Sequence, residues 1–118
     1  MKSLISYSVF VLFLFSACQP AIHTFYWGNY SSTLYEYKKN PDDKTLEAHK
    51  AQILIIFDES KENNLQVPPG VNAEYGYILL KEGKEKEGME YLDREMLLYP
   101  ESVVFLKRIK LEYDGRNK

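Results

Sequence analysis

The sequence predicts an all-α domain of about five helices, and three observations support this prediction. Apolar side chains recur at spacings of three and four residues, which places them on one face of a helix. Prolines and glycines divide the chain into segments of helical length. No segment shows convincingly the alternation of apolar and polar residues that is typical of a half-buried strand.

The first two predicted helices are separated by Pro41. The first covers residues 30–40 and ends there, because a residue that precedes proline avoids the helical region. Asp42 can cap the start of the second helix, which covers residues 42–64. Residues 53–57 (ILIIF) in this helix are apolar on all sides, so we expect the helix to be central and covered on several faces.

Three further helices follow an extended, proline-containing break. The third covers residues 71–82, and Gly83 suits its C-cap because glycine adopts the left-handed conformation at little cost. The fourth runs from about residue 85 to 98 and is stopped by Pro100. The fifth covers about residues 101–112. Its predicted buried residues are Phe105, Leu106 and Ile109.

The third and fourth helices, up to Pro100, fit the 34-residue pattern of a tetratricopeptide repeat. When Pro100 takes position 32 of the repeat, residue 69 takes position 1, and five small or apolar positions are filled without adjustment. These positions hold Tyr75, Gly76, Leu79, Gly88 and Leu92. Gly76 and Gly88 lack side chains where two paired helices approach most closely, so the register is physically coherent.

The predicted architecture is therefore a set of tetratricopeptide-like helical hairpins. It contains one good repeat, one degenerate pair at residues 30–64 that lacks the glycines, and one capping helix. Continuing the register puts Leu106, Ile109 and Tyr113 at the apolar positions of the capping helix. Such a helix can pack on one side and face water on the other, as the end of a repeat array requires.

The N-terminal segment has the pattern of a bacterial lipoprotein signal peptide. Lys2 precedes an apolar run over residues 4–15, which is shorter than the roughly 20 residues of a transmembrane helix. Ser16 and Ala17 are small enough for the pocket of a signal peptidase, and Cys18 follows them directly. We therefore predict cleavage between Ala17 and Cys18, with attachment of acyl chains to Cys18.

Two alternatives for this segment stay open. Either an ordinary signal peptidase cuts near Ala21 or the segment is an uncut anchor, and in both cases Cys18 is an unpaired thiol. The lipoprotein prediction gives a signal peptide (1–17), a lipidated tether (18–29), a helical domain (30–112) and a polar tail (113–118). By resemblance to enteric lipoprotein sorting, Gln19 in place of aspartate favours the outer membrane over the inner membrane. We expect the protein on the periplasmic side of the outer membrane, with the inner membrane and the cell surface as the less favoured locations.

Charge and composition exclude several classes of function. Removing residues 1–17 removes one lysine, so the mature chain has 14 basic and 17 acidic residues, which is not basic enough for nucleic-acid binding. His23 and His49 are 26 residues apart and no second cysteine is present, so we expect no metal site. The serines lack a nucleophile elbow and no glycine-rich loop follows a strand. We therefore expect no catalytic residues, no cofactor and no small-molecule substrate.

Aromatic residues are the candidates for a partner-binding surface, because Tyr and Trp dominate binding hot spots. One group lies around the start of the helical domain and consists of Phe25, Tyr26, Trp27, Tyr30, Tyr35 and Tyr37. The alternative for this group is that its rings close the open end of the bundle beside residues 53–57. A second group could line the concave surface of the repeat, although about half of its rings would be core. It consists of Tyr75, Tyr77, Tyr91 and Tyr99.

Five short motifs in the chain resemble a known family. They are YWGNY (26–30), LYEY (34–37), VPPG (67–70), AEYGY (73–77) and YPES (99–102). In this order, over residues 25–109, they are similar to small Gram-negative lipoproteins of unknown function with a tetratricopeptide-like helical domain. Members of that family are often encoded beside a lipoprotein that resembles the curli secretion channel and beside a third small lipoprotein. The resemblance implies no catalytic residue.

These observations together predict a membrane-anchored, periplasm-facing lipoprotein that acts as a non-enzymatic protein-binding module. Its partner is expected to be another envelope protein, and its role is to assist the assembly or stability of an envelope lipoprotein complex. The alternative is a structural or regulatory lipoprotein of the cell wall, which stacks aromatic rings on peptidoglycan sugars or regulates a wall enzyme.

Overall fold

The computed structural model describes residues 24–116, which form five α-helices and one short 3-10 helix. The five α-helices are α1 (Tyr30–Lys39), α2 (Asp43–Glu62), α3 (Val71–Lys81), α4 (Glu85–Leu98) and α5 (Val103–Arg116). The 3-10 helix, Pro100–Ser102, connects α4 to α5, and no strand occurs within residues 24–116. The predicted all-α fold with five helices is confirmed.

The predictions for the N-terminus lie outside the described residues. They comprise the signal peptide, the cleavage site at Ala17 and Cys18, and the tether as far as His23. Among the helices of the described part, none is both long enough and apolar enough to cross a membrane.

Two helix ends have the caps that the sequence predicts. The Asp42 side chain accepts a hydrogen bond from the Thr45 backbone N–H at 2.8 Å, and the Thr45 hydroxyl accepts one from the Asp42 N–H at 3.3 Å. This reciprocal capping box begins α2. At the end of α3, Gly83 has a φ of +79°, and its N–H donates to the Leu80 carbonyl at 3.1 Å. The next N–H donates to the Leu79 carbonyl at 2.9 Å, which completes a Schellman cap.

The hairpin of α3 and α4 depends on a close crossing of two glycines. A Cβ atom on Gly76 would lie 2.8 Å from the Gly88 carbonyl oxygen, and a Cβ on Gly88 would lie 2.8 Å from the Gly76 carbonyl oxygen. Real Cβ atoms essentially never approach other atoms so closely. Only glycine fits at both positions, so the packing assigned to these glycines by the repeat register is present in the structure.

The core has two apolar clusters, one on each side of this hairpin. The first apolar cluster joins α2 to α3 and contains Ile53, Ile56, Val71, Tyr75, Ile78 and Leu79. The second apolar cluster joins α3, α4 and α5 and contains Leu80, Leu92 and Leu106. The partly buried Ile109 and Tyr113 pack against the second cluster, as the register predicts for a capping helix.

The prediction that residues 53–57 are covered on several faces is wrong. Ile53 and Ile56 are fully buried, but Leu54 is 44% exposed and Ile55 is exposed to a similar degree. Helix α2 packs against α1 and α3 and, through Phe57 and Tyr91, against α4, and these neighbours leave part of its surface uncovered. The side of α2 that carries Leu54 and Ile55 therefore faces solvent.

Helix α5 also differs from its prediction in two respects. The sequence predicts a buried Phe105, but this residue is 65% exposed. The neighbouring Leu106, about 100° away around the helix, takes the buried face instead. The helix continues to Arg116 and so includes residues 113–116 of the predicted polar tail. The Tyr113 hydroxyl donates to the Leu80 carbonyl at 3.2 Å, which ties this last turn to α3.

Candidate functional site

An apolar groove between α3 and α5 is the candidate functional site. Its volume is about 390 Å³. Helix α4 packs behind α3 and α5, and the bond from Tyr113 to Leu80 joins the C-terminal ends of the two helices. The groove is lined by Ala73, Glu74, Tyr77, Leu80, Phe105, Leu106, Ile109, Glu112, Tyr113 and Arg116.

Two aromatic rings on opposite helices form the accessible walls of the groove. Tyr77 on α3 is 46% exposed, and Phe105 on α5 is more exposed still. The ammonium of Lys81 lies 4.9 Å from the centroid of the Tyr77 ring. The floor between the walls is apolar and includes Leu80 and Ile109. Large apolar side chains that are left in water around a groove are typical of a binding surface.

Glu74 marks the N-terminal end of the groove and connects it to α1 and α2. The Tyr30 hydroxyl donates a short hydrogen bond to Glu74 Oε2. Burial and this carboxylate both raise the pKa of Tyr30 well above its usual range. The other carboxylate oxygen, Oε1, lies 3.3 Å from His49 Nε2, and the Glu74 side chain is 25% exposed. One carboxylate therefore serves both the groove and the packing of the N-terminal helices.

His49 is fully buried in α2. Its Nδ1 lies 2.8 Å from Thr33 Oγ1 on α1, within hydrogen-bonding distance. The contact of Nε2 with Glu74 has the distance of an ion pair, but Nε2 has no aligned hydrogen-bond partner among the described residues. His49 thus lies between α1 and α3 and joins them, and it does not reach the groove.

The N-terminal aromatic group is divided between core and surface. Tyr26 and Tyr30 pack against the first apolar cluster, so for them the alternative of closing the bundle holds. Tyr37 is partly buried and stacks on His49 with ring centroids 6.4 Å apart. Trp27 is 41% exposed, and its ring makes a T-shaped contact with the Tyr30 ring at a centroid distance of 5.3 Å. Tyr35 is exposed. Of the six rings in this group, only those of Trp27 and Tyr35 are exposed, and the other four are partly buried.

The second aromatic group is divided in the same way. Tyr75 is buried in the first apolar cluster, and Tyr91 is partly buried beside it. The two rings make a T-shaped contact with their centroids 4.8 Å apart. The Tyr99 hydroxyl donates to the Val67 carbonyl at 2.5 Å and holds the break before α3. Only Tyr77 of this group lines the groove.

Sequence reasoning did not identify most of the groove. Phe105 is assigned to the core by its apolar character, and nothing in the sequence distinguishes Glu74 from other helical carboxylates. The repeat register could have identified the groove, because it places Tyr77 and Phe105 on the first helices of two consecutive repeats. The first helices of such an array line its concave side. Within residues 24–116, no group of three or more His, Cys, Asp or Glu side chains is placed to hold a metal ion.

Comparisons with known proteins identify a family and leave its activity open. No match is found among curated proteins or among solved structures. Residues 24–109, which include all of α1 to α4 and half of α5, match the family described as Domain of unknown function (DUF4810). The match covers most of the chain and has nearly the same limits as the family resemblance over residues 25–109. The chain therefore belongs to the DUF4810 family.

Proposed function

We propose that this protein is a membrane-anchored, periplasm-facing lipoprotein that binds a helical segment of another envelope protein in the groove between α3 and α5. The observation that carries the proposal is the pair of exposed aromatic walls, Tyr77 and Phe105, over an apolar floor. Docking a partner there would remove both rings from water, at about 25 cal/mol for each Å² of apolar surface covered. No catalytic step is part of the proposal.

The dimensions of the groove suit one face of a short amphipathic helix. From Phe105 to Arg116, α5 rises by about 16 Å, which corresponds to roughly three helical turns. A helix of that length presents apolar side chains at positions i, i+3 or i+4, and i+7 to an apolar groove. An extended peptide could not bind by adding a strand, because both walls of the groove are helices and offer no free sheet edge.

The charges at the ends of the groove indicate the polarity of the partner. At the N-terminal end Glu74 faces no basic side chain at ion-pair distance other than His49 among the described residues. At the C-terminal end Glu112 lies 3.7 Å from Arg116, so its charge is already balanced. We therefore expect the partner helix to place a lysine or arginine beside Glu74.

The proposed anchor is the acylated thiol of Cys18. Two or three acyl chains give lasting membrane attachment, whereas one gives only marginal binding. The five residues between Cys18 and Thr24 would span at most about 22 Å when extended, which would keep the groove near the membrane surface. A partner in the same membrane, such as another lipoprotein of an envelope complex, is then in reach.

Site-specific photocrosslinking in intact cells tests the partner. A photoreactive residue at position 77 should crosslink to one envelope protein, identified by mass spectrometry. The matched control is position 54 on α2, because Leu54 and Tyr77 are equally exposed and face different surroundings. Glu74→Gln should reduce the crosslink at position 77, and a lysine or arginine of the partner should map beside it. Equal crosslinking at both positions, or none at position 77, would contradict the proposal.

Metabolic labelling tests the anchor separately. Labelled palmitate should enter the wild-type protein and be absent from Cys18→Ser, which should also leave the membrane fraction. Labelling that persists in Cys18→Ser would refute lipidation at this position, without bearing on the groove.

A second candidate function, binding to the cell wall, is favoured by one observation. The Trp27 ring is exposed enough for one face to stack on a sugar. Purified sacculi should then retain the protein and release Trp27→Ala, while Tyr35→Ala serves as a control at another exposed ring. Equal retention of both variants, or none of the wild type, would remove this candidate.

A further inference from the structure

A second cleft lies away from the groove, at the junction of α2, the break before α3, and α4. Its volume is about 290 Å³. It is lined by Phe57, Val67, Asn72, Tyr91, Arg94, Leu97 and Leu98. No residue is shared with the groove. Its walls are mostly apolar, and the partly buried Phe57 and Tyr91 rings stack within it at 5.4 Å.

Asn72 occupies a position where the repeat pattern has a large aromatic residue. The pattern W-x₂-L-G-x₂-Y places a tryptophan three residues before its leucine, and Tyr75 fills the leucine position here. Asparagine is much smaller than tryptophan, so the replacement leaves space beside α3. The Asn72 side chain is only 3% exposed, and its Nδ2 has no hydrogen-bond partner among the described residues. A buried amide without a partner destabilises the fold, and a ligand carbonyl would supply the missing partner.

Arg94 supplies an available cation at the edge of this cleft. Its guanidinium carbon lies 4.5 Å from the centroid of the Tyr91 ring, at the distance of a cation–π contact. The guanidinium carries five N–H donors in a planar fork that matches the geometry of a carboxylate. Within residues 24–116, Arg94 makes no ion pair. The adjacent Glu95 is buried and accepts a hydrogen bond from the Gly70 N–H at 2.6 Å instead.

We propose that this cleft binds the C-terminus of a polypeptide that ends in an apolar residue. Arg94 pairs with the terminal carboxylate through two parallel N–H···O bonds. The Asn72 amide donates to the last peptide carbonyl, and the terminal side chain packs on Phe57 and Leu98. A carboxylate alone would not use both donors, so the arrangement favours a chain terminus over a simple fatty acid. The site is independent of the proposed groove function.

Nuclear magnetic resonance titration with three probes tests the proposal. The probes are N-acetyl-Ala-Phe with a free carboxylate, the same dipeptide with a C-terminal carboxamide, and octanoate. The free acid should produce saturable shifts of the Asn72 side-chain amide and the Arg94 Nε–H signal. The carboxamide and octanoate should each bind at least tenfold more weakly. Absence of saturation up to about 10 mM free acid, or equal binding of the three probes, would overturn the proposal.

Two variants and one control separate recognition from folding. Arg94→Gln should weaken binding of the free acid at least tenfold, and Arg94→Lys should weaken it less because the charge stays while the planar fork is lost. Arg94 is exposed, so both variants should keep the wild-type spectrum outside the cleft. The matched control is Arg108→Gln on α5, which is also exposed and does not line the cleft. Equal affinity of Arg94→Gln and Arg108→Gln would contradict the assigned role.

Discussion

Replacing Gly76 by alanine tests the helix crossing on which the hairpin depends. The new Cβ would lie 2.8 Å from the Gly88 carbonyl oxygen and 3.2 Å from the Leu92 backbone nitrogen. Both are backbone atoms, so no side-chain rotation relieves the contact. Reaching the 3.4 Å of an ordinary contact requires α3 and α4 to separate by about 0.6 Å.

The expected cost follows from two opposing effects. Alanine is favoured over glycine inside a helix by about 1 kcal/mol. Overpacking a tight interior costs about 1–3 kcal/mol, and a clash between backbones belongs at the upper end of that range. We therefore expect Gly76→Ala to lower the free energy of unfolding by about 2 kcal/mol. For a domain of this size, that loss corresponds to a melting temperature lower by about 10 °C.

Thermal unfolding followed by far-ultraviolet circular dichroism measures this change. Gly115→Ala is the matched control, because Gly115 is also helical and nothing lies within 4 Å of its added Cβ. This control should melt at or slightly above the wild-type temperature, since it gains helix propensity without a clash. If Gly76→Ala is as stable as Gly115→Ala, the two helices do not cross as closely as the glycines indicate.

Two hydrogen bonds of tyrosines lead to further predictions. Because the pKa of Tyr30 is raised in the folded state, the unfolded state loses its proton first, and stability should fall as pH rises above about 10. Urea unfolding between pH 8 and pH 11 should show that the free energy of unfolding falls less steeply with pH in Tyr30→Phe than in the wild type. An identical pH dependence of the two proteins would argue against the bond to Glu74. Tyr99→Phe should lower the free energy of unfolding, measured with urea, by about 0.5–1.5 kcal/mol, because it removes the donor to the Val67 carbonyl. Tyr35→Phe, at an exposed ring, is its control, and an equal effect of the two would refute the role of this bond.

Local signals in the sequence predict the helices and the central hairpin well. Pro41 and Pro100 end helices because of their own chemistry, and Gly83 forms the cap that its freedom at positive φ allows. Gly76 and Gly88 fit the repeat pattern because two backbones meet there. Such signals depend on neighbours that lie close in the chain or that a known repeat geometry supplies.

The exposed and buried faces of the outer helices were harder to predict. The apolar run at residues 53–57 does not reveal that α2 has packed neighbours on only part of its surface, which leaves Leu54 in water. Phe105 and Leu106 are both apolar, and the positions of α3 and α4 decide which of them is buried. Glu74 gains its role from Tyr30 and His49, which lie 44 and 25 residues away in the chain. Contacts of that range have no local pattern.

The five motifs that carry the family resemblance contain two kinds of residue. Some motif residues stabilise the fold directly: Val67 and Tyr99 pair by a hydrogen bond, Gly70 donates to buried Glu95, and Gly76 permits the helix crossing. Folding alone therefore explains why these residues occur where they do. Three motif aromatics are exposed instead, namely Trp27, Tyr35 and Tyr77. Leaving a large ring in water gains little for the fold. Of the three, only Tyr77 faces a groove with a second exposed ring, so the argument for a bound partner is strongest there.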